Sequence, residues 1–125
     1  MKLNSITENH LYKKAYAKGK RFVTPALALY MLPDYQAARL QKAHPQHIRV
    51  NRIGLTVSKK IGGAVVRSRV RRILREAYRQ VEQEYTVKTG LLLVIAARES
   101  AKEAKSTDLA RQLAYAMRKL EILQS

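Results

Sequence analysis

The segment from Ala64 to Glu84 leaves this chain the least freedom. Val66, Val70, Ile73, Leu74, Ala77 and Val81 recur at spacings of three and four, the period of a helix that buries one stripe against a neighbouring layer. Between Lys59 and Arg79 there are eight Lys and Arg and one acid, Glu76. At roughly 100° per residue, Arg67, Arg71, Arg72, Arg75 and Arg79 fall within about 140° of one another, opposite that stripe, with Ser68 in their midst. A solvated face ordinarily mixes signs to gain i,i+4 pairs. This face has a single sign, and an arginine fork grips phosphate oxygens in pairs at any physiological pH. It therefore points to nucleic acid. A membrane fits less well, because the opposite stripe has no Trp or Phe and reads as core.

The rest of the composition agrees. The chain has 125 residues, 25 Lys and Arg against 9 Asp and Glu, and a net charge of +16. With 46% apolar residues it can build a core, so the charge rides on a folded body and not on a disordered tail. One domain over residues 1–125 is expected. The absence of cysteine excludes a disulfide scaffold, thiolate metal sites and a cysteine nucleophile. No apolar run reaches the ~18 residues of a membrane span, and the start has no apolar signal core, so a cytoplasmic protein with no membrane partner is expected.

Around the basic helix, Ser5-Ile6-Thr7-Glu8 has the capping-box pattern and predicts a first helix running to about Lys18, capped by Gly19. Tyr12 and Tyr16 share a face of that helix. Residues from Arg21 to Leu32 are strand-like, with a break or edge position at Pro25. Pro33 to Gln46 reads as a long surface connection tolerant of change. Ile48 to Val57 resumes strand character, with a phase shift that predicts a bulge near Asn51 and Arg52. Leu91 to Ala97 reads as a strand covered on both faces. A last helix is expected from Thr107 or Asp108 to Leu123, burying Leu109, Leu113, Met117 and Leu120. Phe22, Tyr78, Tyr85 and Tyr115 read as packing residues, while Tyr35 in the loop has no assigned role.

The run Ile53-Gly54-Leu55-Thr56-Val57-Ser58-Lys59-Lys60-Ile61-Gly62-Gly63, followed by Arg67-Ser68-Arg69-Val70-Arg71-Arg72 and by Arg75 and Arg79, resembles the signature of the bacterial ribonuclease P protein subunit. That family joins a Gly-Leu-x-Val-Ser-Lys-Lys strand end to a helix opening on Arg-Asn-Arg. Ser68 replaces the central Asn; it still donates and accepts a hydrogen bond but has a shorter reach and no amide.

The resemblance implies an α+β fold, a two-layer α/β sandwich in the order α-β-β-β-α-β-α. Its four-stranded sheet would carry a left-handed βαβ crossover of the ribosomal protein S5 domain 2 type. It also implies a protein that cuts nothing itself. Such a subunit assists a catalytic RNA, which uses Mg2+ to hydrolyse the phosphodiester between the 5′ leader and the mature tRNA, so the metal belongs to the RNA. Ribonuclease P RNA and precursor tRNA would be the partners, with no obligate protein partner. By position, Lys59, Lys60, Arg67, Ser68, Arg69, Arg71, Arg72, Arg75 and Arg79 match the basic motif that contacts the RNA. Tyr12, Tyr16 and Tyr30 match the aromatic positions of a cleft that holds the single-stranded leader.

No intrinsic catalytic site is expected. His10 sits on the first helix and His44 and His47 in the loop, none with an acid cluster that would make a relay, and two histidines alone are a weak metal site. Glu76 reads as an ion partner of Arg72 or Arg79. The alternative is a structural ribosomal protein that binds rRNA through the same helix and has no leader cleft. A protein-only nuclease is disfavoured by the missing catalytic residues.

Overall fold

The structure is a computed structural model, and it describes residues 5, 6, 8–35, 39 and 51–124. In chain order the elements are α1 (Asn9–Lys18), β1 (Lys20–Val23), β2 (Leu27–Pro33), β3 (Arg52–Thr56), α2 (Ala64–Glu84), β4 (Leu91–Ala97), a short 3-10 segment (Glu99–Glu103) and α3 (Ser106–Lys119). The strands form one sheet in the order β1-β2-β4-β3. β1 and β2 make a hairpin around Pro25, β2 and β4 pair antiparallel, and β3 and β4 pair parallel. A parallel neighbour requires a crossover, and α2 supplies it.

Alternation along the two central strands sends side chains into two separate clusters. Leu27 and Leu29 of β2 and Leu93 and Ile95 of β4 meet Val70, Ile73, Leu74, Ala77 and Val81 of α2 and Leu109, Leu113 and Met117 of α3. On the other face, Leu32, Leu92 and Val94 meet Ile6 and Ala15, with Leu11, Tyr12 and Tyr30 packed around them. This explains the unbroken apolar run of β4, whose Leu92, Leu93, Val94 and Ile95 are all buried. The α2/α3 layer and the sheet make the expected sandwich, and α1 adds a partial cover to the opposite face.

The basic helix and β4 have the boundaries their sequence predicts. Several other expectations need correction. Ser5 does not cap α1: its backbone forms a parallel bridge to Ile53, and the Ile6 amide donates to the Ile53 carbonyl at 3.1 Å. The chain thus lies along the free edge of β3 instead of turning into helix. Glu8 takes the N-cap position without a side-chain cap bond, because its carboxylate goes to Arg52. Gly19 ends α1 as expected, in extended and not left-handed backbone. Glycine is needed there for space, since a Cβ would stand 2.5 Å from the Ala15 carbonyl oxygen.

Val66 belongs to the apolar period of α2 yet is 36% exposed, because the first turn of the helix overhangs the core. α3 ends at Lys119, short of Leu123; Glu121 turns with positive φ and returns Ile122 to the core. Tyr78 is buried and Tyr85 and Phe22 pack on the core, but Tyr115 is half exposed, edge-on to Phe22 at 5.5 Å. Asp34, at the start of the supposedly tolerant loop, is buried against Arg52. Most of that loop, the proposed bulge's approach from Ile48 to Val50, and His44 and His47 lie outside the described residues.

Candidate nucleic-acid interface

The basic surface starts from a turn held at both ends. Val57 and Ile61 are buried, the Ile61 amide donates to the Ser58 carbonyl, and Lys59 and Lys60 are left exposed at the tip between them. Gly63 then opens α2. Around that helix the cations do not form one uniform face. Ser68, Arg72 and Arg75 are exposed, whereas Arg67, Arg71 and Arg79 are half-buried along its flank. The Arg67 Nε is buried without a hydrogen-bond partner.

The β3 side of the helix is marked by Tyr78, whose hydroxyl accepts a hydrogen bond from Asn51 Nδ2 at 3.4 Å. Asn51 also donates to the Lys88 carbonyl and accepts from the Leu91 amide, tying the entries of β3 and β4 together. Burial pushes the Tyr78 phenol well above its ordinary range, against a smaller opposing effect of the Asn51 bond. Arg69 lies on the other flank, where its Nη1 donates to the Lys102 carbonyl at 2.7 Å. It is therefore pinned to the 3-10 segment, unlike its neighbours in the motif. Among the described residues Glu76 makes no ion pair with Arg72 or Arg79; the pairs present are Arg52 with Glu8 and Asp34, Lys102 with Glu99, and Arg111 with Asp108. The basic face is left without internal neutralisation.

The three tyrosines meet on the opposite face of the sheet. Tyr16 and Tyr30 stand edge to face with ring centroids 4.8 Å apart, and the Tyr16 hydroxyl shares a 3.0 Å hydrogen bond with the Thr56 hydroxyl. Tyr16 is 43% exposed, so its ring is open to a ligand. Tyr12 sits deeper: its ring lies over Gly54, where a Cβ would come within 2.6 Å of it, and its hydroxyl donates to the Ile6 carbonyl at 3.4 Å. Burial raises the Tyr12 phenol above its ordinary value, with a lesser push from Tyr16. Tyr12 is thus the inner ring of the three, and Tyr16 and Tyr30 form the outer pair.

Sequence reasoning missed what builds this tyrosine cluster. Register places Arg21, Tyr30, Val94 and Gly54 in one row and Val23, Ala28, Ala96 and Thr56 in the next. The second row is made of small residues in front of the tyrosines. At the closed end, Arg52 reaches Asp34 with two bonds of 2.7 and 3.1 Å and Glu8 at 3.0 Å, joining the end of β2 to the start of α1. The hydrogen bond to Asp34 is the main reason the Arg52 guanidinium is held above its ordinary value, with desolvation opposing it. The shared parity of Arg52, Gly54 and Thr56 on β3 was the available signal. Among the described residues, no three His, Asp or Glu side chains gather where they would hold a metal, and no helix is long and apolar enough to cross a membrane.

Residues 1–121 match the family model described as Ribonuclease P. The chain belongs to the ribonuclease P protein family. It is 32% identical over 120 residues to the ribonuclease P protein component of Alkaliphilus metalliredigens, covering 96% of each chain. It is 37% identical over 109 residues to that of Clostridium acetobutylicum, covering 87% of this chain and 82% of the relative. Its fold is that of the Staphylococcus aureus RNase P protein, with a TM-score of 0.75 at 21% identity over 98% of this chain and 100% of that one. The Thermotoga maritima RNase P protein superposes with a TM-score of 0.68 at 16% identity, covering 90% and 93%. By that membership the chain is the protein component of a ribonucleoprotein endoribonuclease of tRNA processing.

Proposed function

We propose that the two surfaces divide the work of the ribonuclease P protein. Lys59, Lys60, Arg67, Ser68, Arg71, Arg72, Arg75 and Arg79 dock on the ribonuclease P RNA, with Arg69 held against the 3-10 segment as an anchor of the same motif. The cleft of Tyr12, Tyr16 and Tyr30 takes the single-stranded 5′ leader. The observation that carries this reading is the exposed Tyr16 ring set edge-on to Tyr30 above a floor of small residues, a platform for unpaired bases. Each stacked base contributes ~1 to 3 kcal/mol to precursor and nothing to mature tRNA, which has no leader. The protein's contribution is differential binding: it favours substrate over product and leaves the bond-breaking to the RNA. Mg2+ is the RNA's cofactor, supplying charge neutralisation at the scissile phosphate, and no step of this chain's residues runs through it.

The test is single-turnover cleavage by a bacterial ribonuclease P RNA at low Mg2+, with and without this protein, on precursors bearing a one-nucleotide or an eight-nucleotide leader. The protein is expected to restore cleavage, with the larger gain for the longer leader. Binding to the RNA without restored cleavage would favour a structural RNA-binding role instead.

A further inference from the structure

The cleft has a second rim, on β1, that the basic motif does not include. Strand alternation turns Phe22 toward the core and Arg21 and Val23 toward the cleft. Arg21 stands directly across from Tyr30 in the β1–β2 register, and it is exposed. Among the described residues its side chain has no hydrogen bond and no ion pair. Among the described residues no carboxylate faces this part of the sheet: the two strand rows and α1 contain none, and Glu8, at the closed end, is held by Arg52. An unpaired arginine in register with Tyr30, whose ring meets that of Tyr16, suits one ligand class, a single strand with a phosphate backbone and stacking bases.

We infer that Arg21 holds a backbone phosphate of the leader where it leaves the cleft, on the side away from the basic helix. This rests on the leader-cleft reading above. β1 is three strands from β3, so Arg21 lies ~14 Å across the sheet from Gly54, its row partner on β3, a span of about four stacked nucleotides at ~3.4 Å each. A short leader ends before reaching it. Arg21 would therefore make the affinity for precursor depend on leader length beyond the tyrosines, through charge and without reading bases.

The experiment measures precursor tRNA affinity of the reconstituted holoenzyme with the one-nucleotide and eight-nucleotide leaders across a salt series, for Arg21→Gln and Arg21→Lys. Arg21→Gln is expected to weaken binding of the long-leader precursor about threefold and to lower its log-log salt slope by roughly 0.7, the value for one phosphate contact on a single strand. The short-leader precursor and the affinity for the RNA subunit should not change, and Arg21→Lys should keep most of the slope. An unchanged long-leader slope, or equal losses at both lengths, would overturn the proposal. Tyr16→Ala in the same assay separates the two readings. If it weakens long-leader binding while Arg21→Gln does not, the rim fails alone; if neither variant has an effect, the cleft reading fails with it.

Discussion

The basic helix face and the tyrosine cleft both suit RNA, but they are built in opposite ways. The helix face gathers its charge from consecutive turns of one element, so it exists as soon as α2 forms. The cleft is assembled from four strands, α1 and the Ser5–Ile6 segment, and it has almost no charge of its own. A surface of the first kind attracts any polyanion and loses affinity steeply with salt. A surface of the second kind selects by shape and stacking, and depends on every contact that holds α1 to the sheet. β3 joins them: Thr56 bonds to Tyr16 in the cleft, and three residues later Lys59 begins the basic turn.

That contrast can be broken from either side. The larger effect is expected from removing Arg71 and Arg75 together. Affinity for the ribonuclease P RNA should fall, and the log-log salt slope should drop by about 1.4 to 1.8, two phosphate contacts' worth. The measurement is RNA-subunit binding across a salt series, and an unchanged slope would place both arginines in solvent. A smaller and different effect is expected from Arg52→Met, which leaves Asp34 buried without its guanidinium and frees the start of α1. It should cost ~2 to 4 kcal/mol of stability in urea denaturation. In the folded holoenzyme it should weaken precursor binding and leave the RNA-subunit salt slope intact. A loss confined to that slope would contradict the role given to Arg52 in positioning α1.

The same contrast sets what could be read from the sequence. The period of α2 and its single-signed face are local properties, and Ala64–Glu84 has the predicted boundaries. β4 announces itself because both of its faces are buried. The cleft depends on tertiary choices that no local pattern states. Ser5 reads as a cap until β3 captures its backbone, and Glu8 reads as the box's glutamate until Arg52 takes its carboxylate. Tyr12 and Tyr16 share a helix face, but only the sheet register shows that Gly54 makes room for one ring and Thr56 bonds the other. Arg21 carries no motif at all; its place across from Tyr30 follows from pairing alone.

The most direct test of the account is the ratio of precursor to mature tRNA affinity in the holoenzyme containing Tyr16→Ala. Tyr16 is exposed, and among the described residues its hydroxyl bonds only to Thr56 and its ring stacks only on Tyr30, so the substitution is expected to spare the fold. Loss of one stacking platform is expected to lower precursor affinity about tenfold while leaving mature tRNA binding unchanged, collapsing the ratio by the same factor. Equal weakening of both tRNAs, or no change in either, would contradict a leader cleft.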